Sequence, residues 1–82
     1  MTAKVQGRAV HKLLNRGTRP AVVVLEPWGG EYEIGPDQAL ELVVEGDLDA
    51  RLEIEIEDNR LTIISDGPDL AMTRDGKPVA AR

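Results

Sequence analysis

The acidic side chains are the groups of this 82-residue sequence whose type and spacing best suit chemistry. Glu53, Glu55 and Glu57 alternate with apolar residues from position 52 onward. Two carboxylates that converge in a cleft can hydrolyse a glycosidic bond. Alternate side chains of a strand, however, project side by side from one face. We therefore interpret these glutamates as a solvated sheet face and predict no catalytic or metal-binding cluster there.

Other catalytic arrangements lack their parts in this sequence. Nucleophilic catalysis needs a nucleophile, a base and a group that orients the base, yet the chain has one serine (Ser65), one histidine (His11) and no cysteine. Asp47 and Asp49 have the spacing of two calcium ligands, but the rest of an EF-hand loop is missing. No phosphate-binding loop, dinucleotide fingerprint or HExxH motif occurs. We predict no catalytic residue, no metal and no cofactor.

The basic residues are concentrated near the N-terminus. Residues 1–20 carry five basic and no acidic residues, whereas residues 21–82 carry five basic and fifteen acidic residues. A basic arm can bind nucleic acid, but five charges make a small phosphate footprint and two aromatic residues cannot form a stacking track. We favour a basic edge segment that lies beside an acidic sheet and is partly neutralised there. Its basic residues are Lys4, Arg8, Lys12, Arg16 and Arg19.

The two aromatic residues are the first candidates for a binding site. Trp28 occupies a Pro-Trp-Gly-Gly corner, and Tyr32 follows four residues later. The indole could be an exposed anchor for a partner, or it could fold back as a lid on the core with its N–H bonded to a carbonyl. The chain has no phenylalanine, which favours the lid. We expect Tyr32 to pack beside Trp28.

Alternation with a period of two divides the chain into short strands separated by turn residues. The run from Ala21 to Glu26 is apolar on both faces and predicts a covered strand. The other predicted strands span residues 31–34, 39–45, 52–57, 60–65 and 69–74.

The segment from residue 52 to residue 65 predicts a hairpin with a defined register. Asp58-Asn59 can form its two-residue loop, which places Glu57 opposite Arg60 and Ile54 opposite Ile63. The apolar residues at positions 52, 54 and 56 then face the same interior. Ile64 falls on the acidic face, so we predict that it is covered by the N-terminal segment or contacts another chain.

Residues 3–14 fit either a helix or a strand, and we favour a strand from about Arg8 to Leu14. The fold prediction is therefore all-β: a small antiparallel β-sandwich or partly open barrel of six to seven short strands. Residues 1–82 form a single domain, and residues 1–7 and 78–82 are expected to fray.

The segment Leu25-Glu26-Pro27-Trp28-Gly29, followed by Tyr32 and Gly35-Pro36, resembles a group of small bacterial all-β proteins that share an L-E-P-W-G stretch. The Asp75-Gly76 turn also resembles their C-terminal ends. The resemblance implies an all-β fold and a bacterial origin, and it supplies no activity to transfer.

These observations favour a non-catalytic interaction module that binds a protein partner or a second copy through Trp28, Tyr32 and Ile64. A nucleic-acid partner is not the favoured one. We expect no membrane association, because no apolar run approaches the length of a bilayer. The lack of cysteine is compatible with the cytoplasm, where we expect the protein. Two alternatives stay open: a small-ligand or carboxylate-based enzyme site at one end of the barrel, and nucleic-acid binding by the basic segment.

Overall fold

Residues 6–82, the part of the chain that the computed structural model describes, form two four-stranded sheets. The strand orders are β1-β4-β7-β8 and β3-β2-β6-β5. In these residues no helix is long and apolar enough to span a bilayer. The strands are β1 (Gln6–Leu14), β2 (Ala21–Glu26), β3 (Gly30–Ile34), β4 (Ala39–Asp47), β5 (Leu52–Glu57), β6 (Arg60–Ser65), β7 (Asp69–Arg74) and β8 (Lys77–Pro78).

The architecture confirms the predicted all-β sandwich, with no closed barrel. Two details differ from the prediction. There are eight strands in the described residues, because the two-residue β8 pairs with β7. The sheets are also not wholly antiparallel, because β2 and β6 run parallel. The backbone N–H of Val22 donates to the carbonyl of Asn59 (2.7 Å), which ties the start of β2 to the β5–β6 turn.

Apolar side chains from both sheets meet in one core. Alternate positions of β4 face inward, since Leu40, Leu42 and Val44 are all buried. β2 is covered on both faces as expected, because Val24 is only 4% exposed although it points away from the core shared by Val23 and Leu25. The core residues are Val23, Leu25, Ile34 and Ile63 from one sheet and Leu40, Leu42, Val44 and Met72 from the other.

The predicted hairpin is confirmed in its register. Glu57 lies opposite Arg60, and Ile54 lies opposite Ile63. Asp58 closes the turn with a positive φ of 21°, a region that aspartate tolerates better than most residues. Local sequence therefore determines how β5 and β6 pair.

The basic N-terminal segment forms a strand rather than a helix. Arg8 lies opposite Glu45, and Lys12 lies opposite Glu41, so this part of the segment is placed beside acidic residues as predicted. Residues 6 and 7, which we expected to fray, pair with β4. Residues 1–5, including Lys4, lie outside the described part of the chain.

The C-terminal residues bridge the two sheets, in contrast to the expected frayed end at 78–82. The N–H of Val79 donates to the carbonyl of Met72 (3.1 Å), and Val79 packs against the core. The N–H of Arg82 donates to the carbonyl of Glu31 (2.7 Å), and its guanidinium binds Glu33 (3.2 Å). The segment therefore joins β8 of one sheet to β3 of the other.

Candidate functional site

Trp28 lies at the corner between β2 and β3, where its side chain is exposed. The residue is 53% exposed and is not among the residues packed against the core, so the favoured lid interpretation is wrong. Gly29 closes the corner with a φ of +77°, and its N–H donates to the carbonyl of Leu25 (2.7 Å). This geometry leaves the indole available as an anchor.

The other two predicted binding residues lie on opposite faces of the same sheet. Tyr32 lies on β3 opposite Val23 and packs against the core. Ile64 is half-buried on the outer face, flanked by Glu26 and Glu53, as its position in the register predicted. Trp28, Tyr32 and Ile64 therefore do not form one continuous binding surface.

One side of the sandwich is closed and the opposite side is open. The C-terminal segment joins β8 to β3 and closes the side on which these two strands lie. β1 is at the other end of the sheet that contains β8, and β5 is at the other end of the sheet that contains β3. We call the side bounded by β1 (Gln6–Leu14) and β5 (Leu52–Glu57) the open side, because both strands there lack a neighbour on their outer edge within residues 6–82.

Within residues 6–82, the open side carries four of the five large exposed apolar side chains. On β1, Val10 is 50% exposed and Leu14 is 42% exposed. On β5, Ile54 is 53% exposed and Ile56 is 77% exposed. The prediction that the apolar face of β5 lies wholly in the interior is therefore wrong for these two isoleucines. Their strand has the predicted register, but it is at the edge of its sheet, and only its first residue, Leu52, packs against the core.

A groove of about 470 Å³ lies between the end of β1 and the β5–β6 turn. Asn15 fixes its rim, because the side-chain amide donates to the carbonyls of Arg19 (2.8 Å) and Ile34 (2.9 Å) while its oxygen accepts the N–H of Gly17 (2.8 Å). The groove therefore has apolar walls and a polar rim on a fixed loop. Apolar lining residues include Leu13, Ile56 and Leu61, and cationic ones are Lys12, Arg16 and Arg60.

The two edge strands of the open side carry opposite charges on their outer faces. Ala9 and Leu13 of β1 pack against the core. Arg8 and Lys12 each precede one of them, so they share the outer face of the strand. The outer face of β5 carries glutamate at positions 53, 55 and 57, and all three residues are exposed. Arg8 and Glu45 form a long ion pair of 3.7 Å. Both side chains are more than half exposed, so the pair contributes little to stability.

The carboxylates of residues 6–82 form no metal-binding cluster. No group of three or more histidine, aspartate or glutamate residues in residues 6–82 could hold a metal ion. Glu41 accepts hydrogen bonds from the Thr73 hydroxyl (2.6 Å) and from the N–H of Gly76 (3.0 Å), and these bonds lower its pKa. A general acid at neutral pH requires the opposite shift.

No protein-family model matches this chain, and comparison with curated proteins and with solved structures found no significant match. The L-E-P-W-G resemblance therefore stays a prediction.

Sequence reasoning missed the open side. The regular alternation of β5 is the same as that of a strand with one face covered by a second sheet. The alternation could not show whether a second sheet lies over that face. Lys12 and Arg16 belong to the predicted basic segment, but nothing in their spacing indicates a groove beside Ile56.

Proposed function

We propose that this protein is a non-catalytic interaction module that binds a polypeptide strand on its open side. The observation that carries the proposal is the exposure of Ile54 (53%) and Ile56 (77%) on an edge strand. An unpaired strand edge offers a row of backbone donors and acceptors to an incoming strand. Exposed apolar side chains beside that row add burial when the strand is added.

The charge of β5 defines which strands it accepts. Its exposed glutamates at positions 53, 55 and 57 all lie on one face. A partner strand with basic residues on the matching face and apolar residues on the other would pair with both faces of β5. An acidic strand would be repelled.

Trp28 remains a candidate anchor for a separate contact, because an exposed tryptophan at a tight corner is typical of binding hot spots. In keeping with the sequence analysis, we also propose a cytoplasmic bacterial protein. The lack of cysteine supports the cytoplasmic location, and the L-E-P-W-G resemblance supports the bacterial origin.

The groove supports a second candidate function, the binding of a small amphipathic anion. Its volume of about 470 Å³ lies in the range of ligand pockets, and its lining carries three cationic residues (Lys12, Arg16 and Arg60) against one acidic residue, Asp58. Titration with a medium-chain fatty acid, followed through the methyl resonances of Ile56 and Leu61, tests this candidate. Saturable shifts that Arg60→Gln weakens would support it, and unchanged resonances would exclude it.

The interaction module is tested by capture and sedimentation experiments on three full-length proteins: the wild type, Ile54→Lys/Ile56→Lys and Trp28→Lys. All three substituted side chains are more than half exposed, so each variant is expected to fold. We expect the wild type to capture a polypeptide or self-associate, and only the double variant to lose that ability. Loss in Trp28→Lys alone would move the contact to the corner. A wild type that neither captures a polypeptide nor self-associates would overturn the proposal.

A further inference from the structure

We propose that the strand received by β5 is β1 of a second copy of this chain. This inference rests on the interaction module proposed above and names its partner. Both strands bound the open side, and both lack a neighbour on the outer edge within the described residues. Each copy therefore presents a donor strand and a receiving strand side by side.

Charge complementarity selects this pairing. The outer face of β1 carries Arg8 and Lys12, which are separated by Val10. The outer face of β5 repeats the same spacing, with Glu53 and Glu57 on either side of position 55. When β1 lies against β5, both basic residues can face a glutamate of the partner at the same time. Opposite charges across neighbouring strands stabilise a sheet.

The inner faces of the two strands meet in the same arrangement. Ala9, His11 and Leu13 are inner-face residues of β1, while Ile54 and Ile56 are inner-face residues of β5. When Arg8 lies opposite Glu53 and Lys12 opposite Glu57, Ala9 lies opposite Ile54 and His11 lies opposite Ile56, because side chains alternate between faces. Each exposed isoleucine would then gain a neighbour on the partner strand.

The groove indicates how two copies can be related. Leu13 and Leu14 at the end of β1 line it together with Ile56 at the end of β5, so both strands end at the same end of the sandwich. A twofold axis parallel to the strands would bring the sheet that contains β1 of one copy beside the sheet that contains β5 of the other. The two strands would then end at the same height along the axis. This axis would place β1 of each copy beside β5 of the other in a parallel register, with Arg8 opposite Glu53 and Lys12 opposite Glu57. Such an arrangement is closed and contains two equivalent contacts.

The alternative twofold arrangement places identical strands together. β5 against β5 brings two rows of exposed glutamates into one sheet, and β1 against β1 brings Arg8 and Lys12 near their copies. Like charges in neighbouring positions destabilise strand pairing. The charge pattern of the two edges therefore rejects this arrangement.

The test is a charge exchange measured by sedimentation equilibrium on full-length proteins. One variant carries Arg8→Glu/Lys12→Glu, a second carries Glu53→Lys/Glu57→Lys, and a third combines all four substitutions. A fourth, Asp69→Lys, adds positive charge to β7, an inner strand of its sheet, at an exposed residue that forms no ion pair within residues 6–82. Circular dichroism verifies that each variant folds.

We expect each of the first two variants to raise the dissociation constant of self-association by about tenfold or more. An equimolar mixture of the two, and the fourfold variant alone, should restore wild-type association. The Asp69→Lys control should associate like the wild type, and added salt should weaken wild-type association. Since the second variant leaves β1 and its pairing with β4 unchanged, misfolding of the first variant alone would not remove the test.

Two results would overturn the inference. Either a wild type that is monomeric at millimolar concentration or charge variants that associate as strongly as the wild type would exclude β1 as the occupant of β5. If the wild type is monomeric but captures another polypeptide that Ile54→Lys/Ile56→Lys releases, the interaction module stands and only the second-copy partner fails.

Discussion

β4 and β5 have similar sequence patterns but differ in how far their apolar side chains are buried. Both alternate apolar residues with glutamates, except that Val43 takes the place of a glutamate in β4. Leu40 and Leu42 of β4 are at most 3% exposed, while Ile56 of β5 is 77% exposed. β4 has strand neighbours on both sides and faces the other sheet, whereas β5 is an edge strand. Alternation therefore determines which face of a strand is apolar, and position in the sandwich determines whether that face is covered.

The largest expected effect separates these two strands by stability. Leu42→Ala should lower the free energy of unfolding by about 2–5 kcal/mol, because it leaves a cavity in the core. Ile56→Ala should change it by less than about 0.5 kcal/mol, because the side chain is largely in water. Urea denaturation at low protein concentration measures both changes. Equal losses would show that β5 is covered within one chain and would abolish the distinction.

A second prediction concerns the outer face of β4, where Glu41 accepts the Thr73 hydroxyl (2.6 Å). This bond is the largest cause that holds the pKa of Glu41 below its ordinary value of 4.5, and the hydrogen bond from the N–H of Gly76 is the second. A lowered folded-state pKa gives stability that is present above pH 4.5 and lost as the pH falls through the folded value. Thr73→Val should therefore destabilise the protein at pH 7, and its difference from the wild type should shrink below pH 4.5.

Denaturation of the wild type and Thr73→Val across pH 3–7 measures that prediction. The outer face of β5 offers the comparison, because Glu55→Gln removes an exposed carboxylate from a strand edge. We expect this control to show no loss of stability at pH 7. A difference between the wild type and Thr73→Val that grew on acidification would contradict the assigned hydrogen bond.

The smallest expected effect is that of Trp28→Ala. Because Trp28 is 53% exposed and outside the core, the substitution should cost less than about 1 kcal/mol and leave the fold intact. Thermal denaturation followed by circular dichroism tests this result. Unfolding of the variant would restore the lid interpretation, in which Trp28 packs on the core next to β2.

The hairpin could be predicted because every signal for it is local. The two-residue loop at Asp58-Asn59 and the alternation on both sides agree on one register, and that register is observed. The apolar spacing of β1 fits a helix as well as a strand, so local sequence alone does not decide between them. Its pairing with β4 places Arg8 and Lys12 beside glutamates, a contact that joins residues more than 25 positions apart.

The open side and the parallel pair could not be predicted because they depend on long-range placement. No local pattern indicates that β2 takes β6 as a parallel neighbour, or that Arg82 joins the last residues to β3. These contacts close one side of the sandwich and leave β5 at the other. Trp28 was misjudged for a related reason, since a core without phenylalanine can be filled by aliphatic side chains alone.

The most direct test of the account is the solvent accessibility of the isoleucine methyl groups at two protein concentrations. In a sample labelled at isoleucine methyls, a soluble paramagnetic probe reports exposure of Ile54 and Ile56 against the buried Ile34 and Ile63. We predict that the probe broadens Ile54 and Ile56 strongly in dilute protein and weakly in concentrated protein, while Ile34 and Ile63 stay sharp in both. Protection of Ile54 and Ile56 in the dilute sample would contradict the account.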